Sequence, residues 1–191
     1  GFQFDADNSN RFAEIGNGGL VIVSDTSIRL LSADGSELWS ANIQMSAPAL
    51  TSGGGRVVAY DVGGTELFVL DGNGVLLDQT TEDPIVAANL NGSGMLALTT
   101  EASGTKGHVE VYSAALQKLF DFNAHRRFVA DACVTEDGKY LAAVTMGQAD
   151  SVFVSNVVIY DLTQEDPIAE YSVQDGLVAA MRGKWSQILT V

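Results

Sequence analysis

His125, Arg126 and Arg127 stand side by side, the only tight basic group in a chain of 191 residues whose formal net charge is −14. Two guanidinium groups next to an imidazole suit an acidic partner, because planar, permanently charged donors match carboxylates. The other histidine, His108, directly follows residues 101–107. These four residues, His108, His125, Arg126 and Arg127, are the candidate binding set. On that reading, replacing Arg126 and Arg127 by Ala weakens binding of an acidic partner and leaves stability nearly unchanged. The alternative is internal ion pairing of the arginines with Asp121 or Asp131.

The rest of the chain offers little chemistry. An enzyme needs a nucleophile with its base, an acid–base pair or a metal constellation. The sequence contains no HExxH, CxxC, GxSxG or Walker motif. The glycine runs Gly16-Asn17-Gly18-Gly19 and Gly53-Gly54-Gly55 precede strand-like segments, so they read as hairpin turns rather than phosphate cradles. Residues 5–10, DADNSN, imitate the start of a calcium loop, but Asn10 stands where that loop needs Gly and Gly16 where it needs Glu. The acidic pairs Glu82-Asp83, Glu136-Asp137 and Glu165-Asp166 recur at comparable places, each followed by Pro or Gly, which is turn chemistry. The functional alternative is a carboxylate cluster on one face, serving with His125 a hydrolase or lyase on the loop face of repeats three and four. Cys133, between Ala132 and Val134, reads as a buried, inert thiol, and a single cysteine forms no internal disulfide. No catalytic residue, metal ligand or cofactor is assigned from the sequence.

The elements that must position the candidate residues are set by a repeat. Residues 18–39, GGLVIVSDTSIRLLSADGSELW, alternate short apolar runs with turn signals such as Asp25-Thr26 and Asp34-Gly35. The pattern returns from residues 55, 94 and 138 and starts again near 186. Its closing residues are Trp39, Leu77, Phe120 and Tyr171, and short Ala-rich strands (47–49, 86–88, 130–132, 178–180) lead into the next copies. Four short strands per unit of about 40 residues predict an all-β fold of β-propeller type. The blades are expected at roughly 13–46, 47–85, 86–128 and 129–176, with the start of another at 177–191, in one domain that is a fragment of a larger propeller. Small residues suit crowded inner strands and the large closing residues suit the wider periphery between blades. An open stack exposes strand edges; missing chain completes it, the strand at Phe2–Phe4 closes it, or two copies join.

In a propeller blade, the connection from the outer strand to the next inner strand emerges at the same end as the loop between strands two and three. That loop is minimal in the first two copies. It lengthens to 101–107 in the third and to 146–155 in the fourth, so the long loops, His108 and the basic group are expected at one end of blades three and four. Elaborated loops on a rigid scaffold are where binding residues concentrate.

Gly19, Val21, Val23, Asp25, Leu30, Gly35 and Trp39 resemble a quinoprotein-type propeller repeat, and WD-repeat blades more loosely, since no copy ends in Trp-Asp. A ring of cofactor contacts such as quinone-binding propellers carry is not visible. Over nearly the whole chain, NSNRFAEIGNGGLVIVS, PIVAANLNGSGMLAL and VTEDGKYLAAV resemble an uncharacterised bacterial family of membrane-anchored, extracytoplasmic propeller-like proteins. That resemblance implies an extracytoplasmic or cell-surface setting and an N-terminal anchor, and it implies no activity. The repeat, the lack of a catalytic set and this resemblance together point to a non-catalytic binding or scaffold module for a protein or glycan partner. The first 95 residues carry −9 and the remainder −5, a field that opposes nucleic acid and anionic lipid. No apolar run is long enough for a membrane span.

Overall fold

The computed structural model describes residues 10–149, 152–173, 178, 181–184 and 187–190. Phe2–Phe4 and most of the calcium-like stretch lie outside the described residues. Four antiparallel meanders hold most of the chain. Sheet one is β1 (Arg11–Ile15), β2 (Gly19–Val23), β3 (Ser27–Leu31) and β4 (Glu37–Asn42), and sheet two is β5 (Pro48–Gly53), β6 (Arg56–Asp61), β7 (Glu66–Asp71) and β8 (Gly74–Thr80). Sheet three is β9 (Ile85–Leu90), β10 (Leu96–Thr100), β11 (His108–Tyr112) and β12 (Lys118–Asn123). Sheet four is β13 (Phe128–Val134), β14 (Tyr140–Ala149), β15 (Val152–Asp161) and β16 (Pro167–Val173), followed by a hairpin of β17 (Met181–Lys184) and β18 (Gln187–Thr190).

Sequence pattern and burial match strand by strand. Strands covered on both faces read as continuous apolar runs: Val57 to Tyr60 in β6 and Leu96 to Leu98 in β10 are buried. The last strands, β4 and β12, alternate exposed and half-buried residues, as a strand with one covered face does.

The chain divides into two compact units, residues 1–85 and 86–191. In the first, Ile15, Val21, Val23, Ile28, Leu30, Val57, Ala59, Phe68 and Leu70 form one buried cluster. Trp39 tilts onto Phe68 with ring centroids 6.3 Å apart. In the second, Ala97, Val109, Val111, Val129, Val134, Leu141 and Ala143 join sheets three and four. Phe120 and Phe122 bracket Tyr160, at 5.8 and 4.3 Å between centroids, and burial there, helped by the Glu170 charge, raises the Tyr160 phenol pKa. Each large apolar side chain so buried contributes roughly 1.5–3 kcal/mol. Trp39 and Phe120 thus fill the inter-sheet positions expected of closing residues, whereas Tyr171 is 61% exposed.

A polar seam also ties sheet three to sheet four. The Asn89 side-chain amide donates to Asp131 Oδ1 (2.5 Å) and to the Ala132 carbonyl (2.9 Å), with Asn89 and Asp131 both buried. Asn91 donates to the Thr135 carbonyl (2.9 Å), the Gly92 amide to Glu136 Oε1 (3.0 Å), and the Ser93 hydroxyl to the Glu136 carbonyl (3.0 Å). The stretches PIVAANLNGSGMLAL and VTEDGKYLAAV are therefore partners in one seam.

The repeat extends to turn geometry. In the β3–β4 turn the Gly35 amide donates to the Ser32 carbonyl and the Ser32 amide to the Ser36 carbonyl. The β11–β12 turn makes the same pair of bonds at Leu116–Ser113 and Ser113–Gln117. The left-handed position is Gly35 (φ 84°) in one and Leu116 (φ 58°) in the other, where a side chain with a Cβ is strained.

Two expectations change. Sheet one begins with β1, a strand the repeat pattern did not single out. Residues 146–149 and 152–155 are not a loop. Gly147 pairs with Val154, Gln148 with Phe153 and Ala149 with Val152, so β14 and β15 run on as a two-stranded ribbon. The consecutive β-formers Val152, Phe153 and Val154 favour pairing over a loop. The leading strand expected at 178–180 lies mostly outside the described residues.

Candidate functional site

In sheets three and four, the β10–β11 connection and the β12–β13 connection come together at one end. The Lys106 amide donates to the Ala124 carbonyl (2.7 Å), the Ala124 amide to the Gly107 carbonyl (2.8 Å), and the Val129 amide to the Lys106 carbonyl (3.0 Å). This latch fixes the loop carrying Lys106 against the segment carrying His125, Arg126 and Arg127. It also sets Lys106 Nζ over the Phe128 ring, 4.3 Å from its centroid, a cation–π contact. Lys106 is exposed and Phe128 is 57% exposed. The ribbon rises beside them from the same end of sheet four, with Val152 63% and Phe153 70% exposed. It extends about 10 Å beyond the Phe128–Met146 pair, at roughly 3.3 Å per residue.

The four predicted residues divide. His125 and Arg126 are exposed at the latched end. Arg127 turns away: its guanidinium pairs with Glu170, and a Cβ on Gly147 would lie 3.0 Å from its Cγ, so its stem lies across the ribbon's base. Glu170 also accepts from Asn156 Nδ2 at 2.7 Å. The internal ion pair is therefore to Glu170 rather than to Asp121 or Asp131, because β16 passes beside the ribbon's base while Asp131 is engaged by Asn89. His108 does not join the basic group either. It opens β11, and its Nε2 lies 3.2 Å from Asp121 Oδ2.

His108 instead heads a polar ladder on one face of β11 and β12. Lys118 Nζ reaches Glu110 Oε1 (3.3 Å) and Asp121 Oδ1 (3.9 Å), and the Tyr112 hydroxyl donates to Glu110 Oε2 (3.0 Å). Burial, then the Glu110 charge, pushes the Tyr112 phenol up to about 12. Alternation on β11 places His108, Glu110 and Tyr112 on one face and the buried Val109 and Val111 on the other.

The acidic pairs do not gather at the latched end. Glu136-Asp137 lies in the β13–β14 turn and Glu165-Asp166 in the β15–β16 turn, both at the opposite end of sheet four, while Glu82-Asp83 lies in the β8–β9 connection. They are not at equivalent places in the repeats. Asp137 Oδ1 accepts from the Thr135 hydroxyl (2.6 Å) and the Lys139 amide (3.2 Å), bonds that hold its carboxyl below the ordinary range. Glu170 is engaged by Arg127 and Asn156 and Asp121 by His108 and Lys118, while Glu101 is exposed in the β10–β11 connection itself. Among the described residues no three His, Cys, Asp or Glu side chains are gathered to hold a metal ion. No described helix is long and apolar enough to cross a membrane. Cys133 is buried.

Sequence reasoning missed Lys106, Phe128 and the ribbon's exposed Val152 and Phe153. The signal was present: Phe128 directly follows the basic group, and Val152-Phe153 stands apolar at the middle of what read as a loop.

Solved structures resemble this chain at the level of the fold. The Pan2 WD40 domain of Neurospora crassa aligns over 95% of this chain and 57% of its own, with a TM-score of 0.60 and 18% identity. Hsv2p of Kluyveromyces lactis aligns over 97% and 65%, with a TM-score of 0.66 and 14% identity. The computationally designed Ika8 protein aligns over 94% and 54%, with a TM-score of 0.64 and 18% identity. The fold is that of a β-propeller, its four-stranded sheets the blades, and WD40-type neighbours arise although no copy here ends in Trp-Asp. The chain spans 54–65% of the length of these three structures. No curated protein matches it. A family model matches residues 2–181, and the chain belongs to that family, DUF5711, a family of unknown function.

Proposed function

We propose that this chain is a non-catalytic binding module of an extracytoplasmic, membrane-anchored bacterial protein, and that it engages its partner through the latched end of blades three and four. The observation that carries this reading is the latch itself. Three backbone hydrogen bonds hold a cation-bearing loop against a basic connection, beside apolar side chains that are more than half exposed. Rigid presentation of exposed aromatic and cationic groups is the composition of binding surfaces. Lys106, His125, Arg126, Phe128, Val152 and Phe153 would meet the partner, while Arg127 and His108 hold the scaffold. The extracytoplasmic setting rests on the family resemblance of the sequence, and so does the quinoprotein-like reading of the repeat.

Single-cysteine labelling tests both parts. The full-length protein, with Cys133 replaced by Ala, carries either Val152→Cys at the latched end or Glu165→Cys at the opposite end. Intact cells are treated with a membrane-impermeant maleimide. Labelling at 165 with protection at 152, relieved on purification, is the expected result. Labelling of both positions only after lysis would refute the setting, and equal labelling of both on intact cells would refute the site.

A further inference from the structure

Three side-chain oxygens of the second unit stand apart from the paired polar groups of the seam. Thr99 Oγ1, Thr145 Oγ1 and Asn156 Oδ1 are buried and have no hydrogen-bond partner among the described residues. Their residues are 1%, 7% and 2% exposed. A buried oxygen left unpaired forfeits the hydrogen bonds that water gave it, and native proteins keep few such atoms.

Strand register puts all three between the same two sheets. Thr99 shares its face of β10 with Ala97, and Thr145 shares its face of β14 with Ala143. Ala97 and Ala143 lie in the one buried cluster that joins sheets three and four. The strand partners Val109 of Thr99 and Val129 of Thr145 belong to that cluster as well. Asn156 pairs with Thr145 on the other side, so their side chains stand next to each other. Thr99 therefore faces Thr145 and Asn156 across the gap between the sheets.

The width of the gap selects what joins them. Stacked sheets lie about 10 Å apart, and two bonds of side chain from each sheet leave about 5–6 Å between facing hydroxyl oxygens. That is too wide for a direct hydrogen bond, and it fits two O–H···O bonds of about 2.8 Å end to end. The gap is also closed at the latched end. The Arg127 stem lies against Gly147, two residues beyond Thr145, and a Cβ on Gly107 would come within 3.3 Å of Val129 Cβ.

Donor and acceptor chemistry then names the occupant. The Asn156 amide nitrogen is spent on Glu170 (2.7 Å) and Ser172 Oγ (2.9 Å), so its oxygen faces the gap as an acceptor only. Each threonine hydroxyl donates or accepts. Glu170 is already paired with Arg127, and three neutral oxygens are a poor cage for a divalent cation. We infer that one ordered water molecule is the ligand of this site. It donates to Asn156 Oδ1 and to one threonine hydroxyl and accepts from the other, tying blade three to blade four beside the Arg127–Glu170 pair. Three partners are what a buried water commonly has.

A high-resolution crystal structure of the chain is expected to show one water within hydrogen-bonding distance of all three oxygens. Density for no solvent there, or protein groups bonded directly to these oxygens, would overturn the inference. Valine keeps the shape of threonine and removes its hydroxyl, so thermal unfolding tests the site in solution. Thr99→Val and Thr145→Val are each expected to lower Tm by about 2–4 °C, and Thr145→Ser should recover part of that loss. The double variant should lose less than the sum, because both hydroxyls serve one water. A Tm unchanged or raised by either valine would mean that the hydroxyls are unpartnered, and additive losses would mean that they share nothing; both would overturn the inference. So would a Tm higher in sodium chloride than in choline chloride at equal ionic strength, if Thr145→Val abolishes the difference, since the occupant would then be a monovalent cation.

Discussion

Replacing Asn89 by Ala should destabilise the second unit more than any surface change at the latched end. Asn89 is 7% exposed and its side-chain amide makes two bonds, to the carboxylate of Asp131 and to the Ala132 carbonyl. A hydrogen bond to a charged group contributes about 1.5–3 kcal/mol and a neutral one about 0.5–1.5 kcal/mol. The truncation also withdraws a donor from a carboxylate that is itself only 6% exposed. The sum is about 3 kcal/mol, which lowers Tm by about 6–12 °C for a chain of this length. Thermal unfolding by circular dichroism measures it, and Asp131→Ala completes a double-mutant cycle. The expected coupling is about 1–2 kcal/mol. A loss below about 1 kcal/mol with coupling under about 0.5 kcal/mol would refute the claim that this pair joins blades three and four.

Other outcomes follow from the same contacts. Leu116→Gly should stabilise by about 1 kcal/mol, because it places in the β11–β12 turn the residue that its counterpart has at Gly35; urea unfolding reads it, and destabilisation would contradict the shared turn geometry. Gly64→Ala should destabilise by about 1–3 kcal/mol: the added Cβ runs into the Asp61 carboxylate, which accepts from the Ala47 amide at 2.7 Å, and an unchanged Tm would refute it. Arg127→Ala should cost up to about 1 kcal/mol through its half-exposed pair with Glu170, while Arg126→Ala should cost close to nothing; equal Tm changes would show that the two arginines are not divided as described. Asp34, Asp137 and Asp161 are held below their ordinary value of 3.8, chiefly by the hydroxyls of Ser32, Thr135 and Thr163. Depressed folded values mean that their contribution is complete above the unfolded value and is lost as pH falls through the folded ones. Asn at all three positions should therefore flatten the fall of stability with pH below about 4, and an unaltered slope in acid unfolding would contradict it.

The blades were legible because each copy writes its strands and turns locally: Leu20 to Val23, Ile28 to Leu31 and Asp34-Gly35 carry period and punctuation within a few residues. β1 was harder to read, since RFAEI has weak alternation and its first two residues are exposed. The ribbon was misread because Gly147 and Gln148 look like loop residues until Val154 and Phe153 are set opposite them. The division of the basic group was not legible at all. Whether Arg126 or Arg127 is the ion-paired one depends on Glu170, which lies 43 residues from Arg127, and on the absence of a Cβ at Gly147. The seam was half legible. The asparagines of NLNGSG read as turn residues, and nothing local tells that Asn89 and Asn91 reach across to the next blade.

Photo-crosslinking of the full-length protein in its native host tests the central claim most directly. Benzoylphenylalanine replaces Phe153 at the latched end or Glu165 at the opposite end. A discrete adduct is expected from position 153, lost in the Arg126→Glu background, and none from position 165. An adduct from position 165 with none from position 153 would contradict it.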